Sequence, residues 1–191
     1  MHLVADWPGY FPDGPRLVHL LIDAGADPNA RTTGGGAQPG PGSETPLHYA
    51  ASSDDLEVAE ALIDRGADVE VPGGSIGPPL DNAVGYSCWN VARLLVARGA
   101  RVEKAWHAAA LGLRTRLEGI LGESPSPFEV SQAFWHACAG GQRRTAQFLL
   151  TRGADRHASK RATVLSGWRE AGACRSRGGR SPTRCRTRRR P

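Results

Sequence analysis

"TPLHYAASSDDLEVAEALIDRGAD", residues 45–68, decides the fold. Thr45 is a residue type that caps a helix N-terminus, and Pro46 takes the first helical position, where no N–H is needed. Leu47, Ala50 and Ala51 then face one way, "SSDD" makes a short polar turn, and Leu56, Ala59, Leu62 and Ile63 form the apolar stripe of a second helix. Gly66 ends that helix, since glycine enters the left-handed conformation at no steric cost. The stretch predicts two short antiparallel helices. Alanines at the inner positions of the first let neighbouring layers approach closely, as a stacked array requires.

The ending recurs as "LLIDAGADPNA" (20–30), "ALIDRGADVEV" (61–71), "LLVARGARVEK" (94–104) and "FLLTRGADRHA" (148–158), so the chain is built from repeats. Gly66 and Gly99 are 33 residues apart. Gly25 and Gly66 are 41 apart, the excess falling in the 31–44 insertion "RTTGGGAQPGPGSE". The 54 residues from Gly99 to Gly153 leave room for a degenerate unit, "AWHAAALGLRTRLEGILG" at 105–122.

Period and motif resemble the ankyrin repeat, whose signature T-P-L-H-x-A is nearly matched by "TPLHYAA" at 45–51. In the same register His48 corresponds to Asp81, His107 and His136, and Leu47 to Leu80, Trp106 and Trp135. The resemblance covers about residues 15–157 and implies an all-α solenoid of four to five helix-turn-helix units, the first and fourth degenerate. Three departures stand out. In the first unit only the second helix is clearly written, after "DWPGYFPDGP". The fourth unit is shortened and lacks the GAD ending. The fifth opens with Ser126, Pro127 and Glu129, a capping box that starts its helix early.

Net charge is +5, but it is unevenly divided. Residues 1–157 hold 13 Lys+Arg against 18 Asp+Glu, whereas 158–191 hold 11 against 1. A body-wide footprint for nucleic acid is therefore absent, and the basic character belongs to the tail. That tail has only Val164 and Leu165 as branched aliphatics and is expected to be disordered. The division is thus a repeat domain at 1–157 and an Arg-rich tail at 158–191. The N-terminus does not read as a secretory signal, no apolar run suits a membrane span, and the four cysteines lack CxxC spacing, so the expected compartment is the cytoplasm.

His48, His107 and His136 invite a metal or catalytic reading, yet each occupies the same place in its repeat. Stacking should hold them about 8–10 Å apart, whereas zinc ligands converge within about 2.1 Å of one ion. In the family this imidazole hydrogen-bonds backbone in adjoining loops, so a structural role is expected. His19 reads as part of a solvated face. Cys138 fills the slot of Ala50, Ala83 and Ala109, which predicts a small buried thiol rather than a partner for His136. "TTGGGAQPG" lacks the Gly-Lys-Ser/Thr ending of a phosphate loop and reads as a flexible finger.

No catalytic, cofactor or metal residues are assigned, and neither a small-molecule substrate nor a membrane is expected. The resemblance implies a non-enzymatic module that binds an unknown protein partner on its concave surface. Carried onto this chain, the outward positions are Tyr49, Ser52, Ser53, Asn82, Tyr86 and Leu111, with the two tyrosines foremost. The alternative is weak, non-specific nucleic-acid contact through the tail.

Overall fold

The computed structural model describes residues 1–6, 13–33 and 42–157. Among them ten helices follow one another with no strand. They are α1 (His2–Ala5), α2 (Gly14–Asp23), α3 (Pro46–Ser53), α4 (Leu56–Asp64), α5 (Pro79–Gly85), α6 (Trp89–Ala97), α7 (Ala105–Leu111), α8 (Arg114–Leu121), α9 (Pro127–Ala139) and α10 (Arg143–Thr151). They pair as five helical hairpins. First helices pack on first helices along the stack, as in α3 on α5, and among second helices α2 packs on α4 and α4 on α6.

Four second helices end identically. Gly25, Gly66, Gly99 and Gly153 all have φ between 88° and 100°. In each case the glycine N–H bonds the carbonyl three residues back, and the following alanine N–H bonds the one five back, as in Gly66 N to Ile63 O (3.0 Å) and Ala67 N to Leu62 O (2.9 Å). This closure satisfies carbonyls that the helix end leaves open. It fixes where the chain leaves each helix, and hence the pitch of the stack.

Leu62, Leu95 and Leu149, four residues before these glycines, are fully buried. Each burial contributes about 1.5–3 kcal/mol. Ala50, Ala83 and Ala109 are equally buried on the first helices. Gly140 shows how close the layers run, since a Cβ there would strike the Ala110 carbonyl oxygen of the preceding repeat.

Three expectations are corrected. The first unit has a first helix, the one-turn α1, which buries Ala5 against the stack. Cys138 is exposed rather than buried. Ala50, Ala83 and Ala109 are covered by the repeat after them, whereas no described residue follows repeat five. The resemblance accordingly extends N-terminal of residue 15. The early start of the fifth unit is present, with Ser126 Oγ accepting from Glu129 N (3.2 Å) and Ser126 N donating to Glu129 Oε2 (3.1 Å).

The insertion at 31–44 is pinned at its base, where Thr32 N donates to Glu44 O (2.9 Å) and Glu44 N to Thr32 Oγ1 (3.0 Å). Its tip, 34–41, lies outside the described residues, as do segment 7–12 and the whole 158–191 tail.

Candidate functional site

The side of the stack carrying the first helices and the loop tips begins with the motif histidine. His48 is fully buried. Its Nδ1 accepts from Thr45 N (3.1 Å) and lies 2.9 Å from Thr45 Oγ1, so the imidazole takes the place of the glutamate in a capping box. Because Nδ1 accepts, the proton of the neutral ring is on Nε2. Burial pushes this histidine below its usual range, opposed only in part by Glu44 and by the Gly77 and Gly73 backbone. His2, at the start of α1, occupies the same register position in repeat one but bonds loop carbonyls instead. Its Nε2 donates to Ala30 O (3.0 Å) and Glu44 O (3.1 Å).

In repeat three the histidine is replaced by Asp81, and the chemistry inverts. Asp81 is buried, and His107 Nε2 of the next repeat lies 2.9 Å from its Oδ1. Lys104 Nζ bonds Oδ2. Burial alone would raise this carboxyl, but His107 and Lys104 outweigh it and hold it below the ordinary carboxylate range. Further along, Trp106 lies 4.1 Å from the His107 ring and 4.9 Å from that of His136, with Lys104 Nζ 5.6 Å from the indole. From repeat three onward the column of motif positions is thus a series of repeat-to-repeat contacts.

Loop tips form a second ladder. The Asn29 amide donates to Gly66 O (3.0 Å) and accepts from Asp68 N (2.8 Å). Glu70, in the equivalent place one repeat on, accepts from Arg101 N (2.8 Å) and Arg101 Nε (2.9 Å). On the second helices Arg65 pairs with Asp23 and Arg98 with Asp64. These outer pairs are partly exposed, and each is worth only about 0–1 kcal/mol.

The residues expected to point outward divide into two groups. Asn82 is fully buried. Its Nδ2 donates to Glu44 Oε1 (3.0 Å) and Ser52 Oγ (3.1 Å), and its Oδ1 accepts from Ile76 N (3.3 Å). Tyr49 is half-buried and meets the His2 ring edge-on at 5.6 Å. Asn82 and Tyr49 share one register position, which faces the preceding repeat rather than solvent. Ser52 donates to His48 O (2.9 Å), and Ser53 donates to Tyr49 O (2.8 Å) and Ala5 O (3.0 Å). Leu111 is half-buried against the core. Tyr86 differs, being 48 % exposed.

Sequence reasoning missed the neighbour of Tyr86. Ile76, on the loop before α5, is itself 38 % exposed. A Cβ on Gly85 would lie 2.5 Å from Ile76 Cδ1, so glycine leaves the room that lets this side chain settle on the helix. Ser75 Oγ and Tyr86 OH share a 3.3 Å hydrogen bond. Ile76 and Tyr86, both exposed, are thereby held near one another from two elements.

Among the described residues, no group of three or more His, Cys, Asp or Glu side chains is placed to hold a metal ion. Cys88 is buried, and burial pushes its thiol up to about 11, far from a reactive thiolate. No helix among them is long and apolar enough to cross a membrane.

A family model described as ankyrin repeats, three copies, matches residues 7–105. An ankyrin repeat protein of Rickettsia felis is 42% identical over 78 residues, which cover 37% of this chain and 34% of the relative. The match thus spans about a third of that protein's length. The crystal structure of the human ASB11 ankyrin repeat domain superposes with a TM-score of 0.50 at 20% identity, covering 81% of this chain and 69% of that one. At that identity the likeness concerns the fold alone.

Proposed function

The chain belongs to the ankyrin-repeat family, and from that premise we propose that it is a non-enzymatic module holding a partner protein on the surface of its first helices and loop tips. Ankyrin repeats generally mediate protein–protein interaction and form a non-catalytic fold. The observation that carries the finer reading is the Ile76–Tyr86 pair. A tyrosine offers a large contact area at modest entropic cost. Here it stands near an aliphatic side chain on a surface where Asn82, Ser52 and Ser53 are already held in hydrogen bonds. Asn82, Ser52 and Ser53 hold this surface rigid, and Tyr86 with Ile76 supplies the anchor for an apolar side chain of the partner.

The domain is taken as 1–157, in a cytoplasmic setting. Partner capture from the source cell by the full chain should fall sharply with Tyr86→Ala and with Ile76→Ala, at unchanged melting temperature. Equal capture by the double variant would place the site elsewhere.

A second reading is favoured by the charge of residues 158–191. Arginines there would bind polyanions by counterion release, with log affinity falling by about 0.9 per log salt for each phosphate neutralised on B-DNA. A chain ending at His157 should then lose nucleic-acid binding. Tight or sequence-selective binding by the shorter chain would overturn that reading.

A further inference from the structure

We propose that this chain stacks head to tail on further copies of itself, the outer face of repeat five on one copy meeting the outer face of repeat one on the next. The inference is independent of the partner surface, because it uses the two ends of the stack.

Position decides which neighbour each side of a second helix meets. Residues eight and five before the helix-ending glycine face the preceding repeat. A Cβ on Gly14 of repeat one would lie 2.8 Å from Val58 Cγ2 of repeat two, and Phe148 sits 4.7 Å under Arg114 of repeat four. Residues seven and three before the glycine face the following repeat. In repeats two and three Val58, Ala61, Val91 and Leu94 are buried on one side and Ala59 and Ala92 on the other, with Ile63 and Val96 partly buried.

At the ends the same positions lie open. In repeat one Leu17 is only half-buried and Leu20 is 59 % exposed. Leu3, in the register of the fully buried Asn82 and Ala108, is 76 % exposed. In repeat five Leu150 is 44 % exposed and Cys138 is exposed, and with Phe134 and Ala146 they line one shallow cleft. The cleft is the face that a following repeat covers, and the leucines of repeat one are the face that such a repeat presents.

The occupant follows from composition and charge. Residues 158–191 contribute Val164 and Leu165 as branched aliphatics, too few for the apolar stripe of a repeat. Repeat one carries that stripe. Apart from Asp23 and Arg152, which are engaged with repeats two and four, it also carries Asp6, Asp13 and Asp27 against Arg16, whereas residues 126–157 carry Arg143, Arg144 and Arg156 against Glu129 and Asp155. Opposite signs steer the two ends together and disfavour like pairing. Because the two faces differ, the contact is heterologous, and it propagates into open chains unless rotation closes a ring.

The test is sedimentation velocity of the full chain over a concentration series. Wild type should grow beyond the monomer as concentration rises. Leu20→Glu and Leu150→Glu should each remain monomeric, and melting curves check their folding, which is expected to survive at these exposed positions. Mixed in equal amounts they should give a dimer and nothing larger, because the first keeps a working repeat-five face and the second a working repeat-one face. Alkylation of Cys138, read on its own peptide, should slow with concentration in wild type and not in either variant. A wild type that stays monomeric overturns the proposal. So does association that both variants retain, or a mixture that yields no dimer.

Discussion

His107 Nε2 lies 2.9 Å from Asp81 Oδ1 across the junction between repeats three and four, both side chains 3 % exposed. A carboxylate stands where the family motif has a histidine, and the next repeat supplies its partners. Removing one member of a buried pair leaves the other desolvated and uncompensated, which is more costly than the pair is stabilising. Asp81→Ala should therefore lower unfolding free energy by about 3 kcal/mol, read from urea denaturation. Lys104→Ala should cost much less, because its side chain is 47 % exposed and keeps water.

His48 makes the stability of the stack depend on pH. Its folded-state affinity for protons is below the unfolded value near 6.5, because burial disfavours the cation. Between that value and the lower folded one, the unfolded chain binds more protons, so stability falls as pH drops below about 6.5. The depressed Asp81 carboxyl acts in a lower window, its contribution being lost only as pH falls below the ordinary carboxylate range. Thermal melting at pH 7 and pH 5 should show a decline that His48→Gln reduces. His48→Ala should cost about 1–3 kcal/mol at pH 7, since the buried Thr45 N–H loses its acceptor.

Two glycine substitutions should separate backbone strain from collision. A Cβ on Gly66 meets nothing within 4 Å, so Gly66→Ala carries only the penalty of a left-handed alanine at φ 91°, about 1–2 kcal/mol. Gly140 has an ordinary φ of −79°, yet its Cβ would collide with Ala110 O. Gly140→Ala should cost more than Gly66→Ala in chemical denaturation. The reverse order would mean that the repeat-four to repeat-five junction yields easily.

Asn82→Ala and Tyr86→Ala should part company. Asn82 loses three hydrogen bonds in a fully buried place, so a fall of about 1–3 kcal/mol is expected. Tyr86 gives up one 3.3 Å bond at an exposed site, and its melting temperature should hardly move. Differential scanning calorimetry of the two variants checks the contrast.

The repeat, its helix starts and its stops were legible in the chain because they are local. A proline at the first helical position, an apolar stripe and a glycine that must turn left-handed each declare themselves within a few residues, and Gly25, Gly66, Gly99 and Gly153 do so identically. The resemblance also placed Asp81 in the histidine column. Local signals failed at α1, whose single turn carries too little periodicity to be read. Only the stack decided which side of a helix meets a neighbour and which meets water. Tyr49 and Asn82 share a register position with Ala108 and Ala137, and that position turns toward the preceding repeat, so they are engaged between layers while Tyr86 is displayed. The fate of one slot likewise depends on what lies beyond it, and Cys138 is exposed where Ala50 is buried. Period and capping depend on near neighbours along the chain, whereas burial is set by residues some 30 positions away that pack against the same face.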